Sequence, residues 1–238
     1  MNDSVIDTNT RRPTQKGPPL APLAAISVGL LVAGIAVGVG LHGVMPLPYG
    51  SATAIMAYVD GADLAGRVIA FGVFGSSIPL AIYAATAGSR LRQLGVTAPG
   101  STIALAGGLL AATGLALSAL LIWTLSRPEV AGDRPLVRAL CYLAFLSGGP
   151  WHVVGLGLLI AGIAVPGLII GLLPRPVAWA GLAIAALAEL TTLVLIWPVL
   201  SPMLPAARLA GLGWLIVAGA LLPTRRRNRR EALAGAAR

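Results

Sequence analysis

Six stretches of this chain are each long and apolar enough to cross a lipid bilayer, a crossing that takes about 20 residues in a helix. They run over roughly 22–43, 68–88, 101–125, 150–173, 177–197 and 207–222. Lipid offers no partner to an exposed backbone N–H or C=O, so a crossing segment must be a helix or part of a closed barrel. A barrel would need alternating strands. These runs are continuous and rich in Ala, Leu and Gly. The expected fold is therefore all-α, a polytopic transmembrane helix bundle of six spans. The composition agrees: 57% of residues are hydrophobic and 11% charged, with a mean hydropathy of +0.87, against about 25% charged in a soluble domain.

The polar ends bracket the bundle. Residues 1–19 read as a cytoplasmic polar tail, 20–223 as the transmembrane domain and 224–238 as a basic cytoplasmic tail. The first span follows Arg11, Arg12 and Lys16, an arrangement that a signal peptide also has. Its apolar run exceeds the usual signal core of about 7–15 residues, and no clear cleavage site follows. It reads as an uncleaved span.

The net charge is +9. With the N-terminus inside, most of the 17 bases fall on the inner side, including Arg90, Arg92, Arg175 and the TRRRNRR tail. Arg67, Arg127, Arg134, Arg138 and Arg208 fall outside and are nearly balanced by Asp60, Asp63, Glu129 and Asp133. That asymmetry is the topology signal of a cytoplasmic excess of Lys and Arg. The basic tail is expected to contact anionic phospholipid head groups, and no nucleic acid partner is needed to explain the charge.

The run from Pro135 to Leu173 is too long for one crossing. Gly148, Gly149 and Pro150 interrupt it, and a Gly-Gly-Pro run is expected to end one helix and start another. This predicts an extra short interfacial helix over 136–146 on the outer surface, with span four beginning at Pro150; the alternative is a seventh span here, which would put the arginine-rich tail outside, against the charge rule. Pro79, Gly148, Gly149 and Pro150 are the candidate hinges. Small-residue spacing at Gly29, Gly34 and Gly38, at Gly107, Gly108 and Gly114, and at Gly167 and Gly171 predicts close helix packing within one bundle.

One carboxylate stands inside an apolar run. At about 100° per residue, Glu189 shares a side with Ala178, Gly181, Ala185 and Thr192, opposite Leu187 and Leu190. Small faces pack on other helices, so Glu189 is expected to point inward at mid-depth, where a charge costs about 2.5–3.5 kcal/mol. Staying protonated or finding a partner lowers that cost. Glu189, Ser76, Ser77, Thr113 and Thr192 form the candidate midplane polar layer. Its structural reading is hydroxyls bonded to their own helices; its functional reading is proton handling.

His152, beside Trp151 at the outer start of span four, reads as an interfacial hydrogen-bonder. Asp63 and Arg67 read as a local i,i+4 ion pair. Cys141 is the chain's one cysteine and reads as a small buried hydrophobe. No nucleophile elbow, phosphate loop, paired carboxylates or metal cluster is present in the sequence, so no catalytic residue, cofactor or metal is expected.

The stretches FGSSIPLAIYAAT, SRLRQLGV, ALCYLAFLSGGPWHVVGLGLLIAGIAVP and GLGWLIVAGALLP resemble a group of bacterial multi-pass integral membrane proteins with no established activity. The resemblance covers roughly 74–223. It implies a bacterial inner-membrane protein and transfers no function. Two classes stay open. One is a non-enzymatic packing, accessory or regulatory subunit with a protein partner in the membrane. The other is a small proton-coupled carrier or permease that uses Glu189.

Overall fold

The computed structural model describes residues 17–97 and 99–224. The polar tail expected over 1–19 lies outside these residues except for 17–19. The basic tail over 224–238, with its expected lipid contact, lies outside them except for Thr224.

The described residues form an all-helical bundle. Helix α1 spans Leu20–His42, α2 Ala52–Val59, α3 Asp63–Gln93, α4 Gly100–Leu125, α5 Pro128–Ala131, α6 Arg134–Leu146, α7 His152–Ile169, α8 Arg175–Leu190 and α9 Met203–Leu221. A π-helical turn, Ser147–Trp151, joins α6 to α7, and α8 tightens into a 3-10 turn over Thr191–Leu195. Six continuous helices are long and apolar enough to cross a membrane, the number expected. Their outward sides are bulky and apolar: Phe71, Ile169 and Val199 are each about 80% exposed, an arrangement suited to lipid and not to water.

Leu20 and Gly219 pack together, so both ends of the described chain lie at one end of the bundle. We call it the near end. The far end carries the connections 43–62, with α2, and 126–133, with α5, together with the turns between α8 and α9.

Consecutive helices pair antiparallel through glycine. Gly34 of α1 meets Gly72 of α3 so closely that a Cβ on Gly34 would lie 2.7 Å from the Gly72 Cα. Gly107 and Gly114 of α4 and Gly155 and Gly162 of α7 do the same for the α4–α7 seam. Gly29 has nothing within 4 Å, and Gly171, at φ +74°, belongs to the turn after α7. The other packing glycines of the sequence serve internal seams: Gly38 meets Ile69, Gly108 meets Ala84, and Gly167 meets Leu173.

The Gly-Gly-Pro run does not break the chain as expected. Residues 134–169 form one continuous 36-residue helix, about 54 Å long at 1.5 Å per residue, well beyond an apolar core of about 30 Å. Helix α4 follows it along most of its length. Gly162 abuts Ala104, Gly155 abuts Ala111, Ser118 Oγ donates to the Ala144 carbonyl at 2.9 Å, and Leu125 clusters with Val137 and Cys141. The short helix before span four is therefore present, but its last turns run alongside the far-end turns of α4. The wider π-turn absorbs Pro150, whose missing N–H and bulky ring would otherwise oppose a regular helix. Gly148 and Gly149 serve close approach: a Cβ on Gly148 would come 2.9 Å from Ser118 Cβ, and one on Gly149 would come 3.2 Å from Leu204 Cδ1.

Pro79 likewise sits within an uninterrupted α3. One turn before it, the Ser76 carbonyl accepts a hydrogen bond from Ser27 Oγ of α1 at 2.8 Å. Pro79 removes the helical donor of the Gly75 carbonyl, four residues before it; the Ser27 hydroxyl serves the next carbonyl of the same turn, so an interhelical bond reinforces the turn that the proline disturbs.

Candidate functional site

The structure does not gather the expected polar layer. Ser76, Ser77 and Thr113 donate to the carbonyls of Val73, Phe74 and Leu110 of their own helices. Thr192 donates to the backbone carbonyl of Glu189, not to its side chain. Helix α8 packs on α7 and α9, whereas Ser76 and Ser77 lie on α3, which packs chiefly on α1 and α4. The helices in between keep these groups apart.

Glu189 does not point inward. It is exposed, as are Leu190 and Thr192, and its Oε1 lies over the side-chain-free backbone of Gly157. The small stripe faces the bundle through Ala178, Gly181 and Ala185, all buried as expected. Beyond Ala185 the buried positions are Ala188, Thr191 and Val194, each three residues on. Three per turn is the 3-10 period, and the helix adopts it at Thr191–Leu195. Glu189 stands before that change, in the regular α-helix, one position past the buried Ala188, so it falls at the edge of the stripe and not within it.

His152 is not interfacial. It is fully buried in the α4–α7 seam, with Nδ1 2.9 Å from the Ala111 carbonyl and Nε2 without a hydrogen-bond partner. Since Ala111 offers only an acceptor, Nδ1 carries the proton. Arg67 Nε donates to the Asp63 backbone carbonyl at 3.2 Å, so this contact replaces the expected side-chain ion pair. Cys141 is buried as expected.

A different site emerges at the far end. A cavity of about 420 Å³ is lined by residues of α1, α3, α4, α6, the π-turn and α9, within the size range of small-molecule pockets. Its walls are mostly apolar, with Leu31, Ile35, Val73, Leu115, Phe145 and Leu204 among them. Met45, Pro46, Leu47 and Pro48 of the strap after α1 also line it. Tyr49 ties that strap down: its hydroxyl bonds Ser201 Oγ and donates to the Pro198 carbonyl at 3.3 Å, while its ring stands edge-on to Phe145 at 6.0 Å.

One charge lines this cavity. Arg208, in the second turn of α9, donates through Nη2 to the carbonyl of Gly148 in the π-turn, and its Nε is buried without a partner. No carboxylate lines the cavity. Sequence reasoning placed Arg208 among the outer charges. The overlooked signal was its helical register: Leu204, Ala207 and Gly211 beside it are all buried, so an arginine on that side faces into the bundle.

The chain matches no protein-family model, no curated protein and no solved structure.

Proposed function

We propose that this protein is a non-enzymatic subunit of the bacterial inner membrane that packs against a partner protein and regulates it. The observation that carries this reading is the position of Glu189. It is exposed on the rim of α8, over Gly157 of α7, whose neighbour Leu158 meets Gly107 in the body of α4. A carboxyl at that depth facing lipid costs about 2.5–3.5 kcal/mol, and intramembrane acids ordinarily face protein. A partner helix bearing a donor would remove that cost. The engaged hydroxyls of Ser76, Ser77, Thr113 and Thr192 also favour packing over chemistry.

Mild solubilisation of the wild type should release a complex of fixed stoichiometry. Glu189→Leu should dissociate it, while Glu189→Gln, which keeps a hydrogen-bonding head, should hold it. The alternative is the proton-coupled carrier. Glu189 does not line the far-end cavity, so that reading lacks a path to its carboxylate. A wild type that leaves the membrane as a bare monomer, with proton flux in vesicles abolished by Glu189→Gln, would decide for the carrier.

In this reading both termini are cytoplasmic and the far end faces outward, supported by the charge asymmetry and by the shared end of Leu20 and Gly219. Single cysteines placed near Asn2 and near Ala237, in a Cys141→Ala background, should resist an impermeant thiol reagent in intact cells. Labelling of either from outside would invert the topology.

A further inference from the structure

The far-end cavity carries a charge that its walls do not answer. The one protein partner of the Arg208 guanidinium among the described residues is the Gly148 carbonyl. Ser118 and Ser201 also line the cavity, but Ser118 Oγ donates to Ala144 and Ser201 Oγ is engaged by Tyr49. The guanidinium is thus the polar group left to select a ligand. A half-buried cation whose Nε is sealed from solvent and which has no counterion is costly, and a planar guanidinium fork matches a carboxylate.

We propose that this cleft binds a single-chain amphiphile of the bilayer, its carboxylate paired with Arg208 and its hydrocarbon chain against Leu31, Ile35, Val73, Leu115 and Leu204. Three observations converge. One positive charge calls for a monoanionic head. The apolar walls call for a hydrocarbon chain. A volume of about 420 Å³ suits one chain and not the two of a phospholipid. Depth agrees as well. Arg208 lies level with Gly148, which abuts Ser118, seven residues from the far end of α4, or about 10 Å at 1.5 Å per residue. A head at that depth lets the chain remain within the hydrocarbon layer.

The bundle also offers an entry. Helices α1 and α9 touch closely at the near end, where a Cβ on Gly219 would come 2.9 Å from the Ala21 nitrogen. At the far end Leu31 and Ile35 of α1 stand across the cavity from Leu204 and Arg208 of α9. The seam closed below is therefore a cleft above, and the Met45–Tyr49 strap spans its mouth.

The test uses full-length protein in nanodiscs of zwitterionic lipid at pH 8, with thermal unfolding midpoints read against added oleate, oleyl alcohol or phosphatidylglycerol. Oleate should raise the midpoint at concentrations at least about tenfold below those of oleyl alcohol, as a charge-assisted pair of about 1.5–3 kcal/mol implies. Arg208→Gln should erase the preference and Arg208→Lys should keep most of it. Equal potency of oleate and oleyl alcohol on the wild type would overturn the proposal, whether or not Arg208→Gln folds. So would a preference that survives Arg208→Gln, the absence of any oleate effect, or stabilisation by phosphatidylglycerol alone, which would mark a two-chain anionic site.

Discussion

Gly107→Leu, Gly155→Leu and Gly162→Leu are each expected to yield no folded monomer in mild detergent, the largest effect of any single substitution in the chain. Within lipid, helices gain little from the hydrophobic effect and associate through van der Waals contact and close backbone approach. Along the α4–α7 seam that approach leaves no room for a side chain. A Cβ on Gly107 would come 2.5 Å from the Leu159 nitrogen. One on Gly155 would come 2.6 Å from the Ala111 nitrogen, and one on Gly162 2.7 Å from both the Ala104 Cα and the Gly100 carbonyl oxygen. Many of the obstructing atoms are backbone, so rotating a side chain does not relieve the clash. The helices must separate, which strips dispersion contacts from the whole seam. Even Gly155→Ala should cost about 1–3 kcal/mol, as overpacking does. Gly29→Leu and Gly213→Leu are the controls, because nothing lies within 4 Å of either added Cβ. Size-exclusion profiles and unfolding by dodecyl sulfate give the readout. A Gly155→Leu protein as stable as the wild type would mean that the two backbones do not approach this closely.

The sequence made the fold legible where one physical constraint dominates. Apolar length fixes six crossings whatever the partners do, and the six long helices match the six runs. Glycine spacing pointed to internal seams because only a missing Cβ permits such approach, although Gly29 and Gly171 share the spacing without the contacts. Reading failed where backbone geometry departs from the regular α-helix. The Gly-Gly-Pro run looked like a break because a π-turn, which accommodates Pro150, has no distinct composition. Glu189 reads onto the buried face because a stripe drawn from Ala185 to Thr192 passes over Ala188, the residue that is buried there, and the 3-10 turn at Thr191–Leu195 moves the stripe further from Thr192. His152 was assigned to the surface by its neighbour Trp151, which is exposed, while His152 itself turns into the seam. The far-end cavity depends on residues from α1, α3, α4, α6 and α9 meeting at one level, and such long-range coincidence leaves no local signature.

Tyr83→Ala is expected to cost about 3 kcal/mol, the lower edge of the range for emptying a buried aromatic site, whereas Tyr83→Phe should cost about 1 kcal/mol or less. Tyr83 is fully buried, with no exposed surface, and lies in the main core with Leu80, Ala84 and Leu215. Its ring fills the space where α3 faces α9, two helices otherwise in little direct contact. Its hydroxyl donates to the Leu215 carbonyl at 3.0 Å. Leu215 lies well inside α9, so its carbonyl already has a helical donor four residues on and uses a second lone pair for Tyr83. Phenylalanine therefore leaves no orphaned carbonyl, and interhelical hydrogen bonds in membranes average about 0.6 kcal/mol. Alanine instead opens a void, because α3 is held from collapsing onto α9 by its glycine seams: Gly72 against Gly34 of α1, and Gly88 against Ser101 of α4. The unfolded helix keeps its tyrosine in lipid, so the transfer contribution is small and lost packing sets the cost. Unfolding midpoints in mixed micelles of dodecyl sulfate should rank wild type, Tyr83→Phe and Tyr83→Ala in that order, with the larger step between the two variants. A Tyr83→Phe as unstable as Tyr83→Ala would show that the hydroxyl, and not the ring, holds α3 to α9.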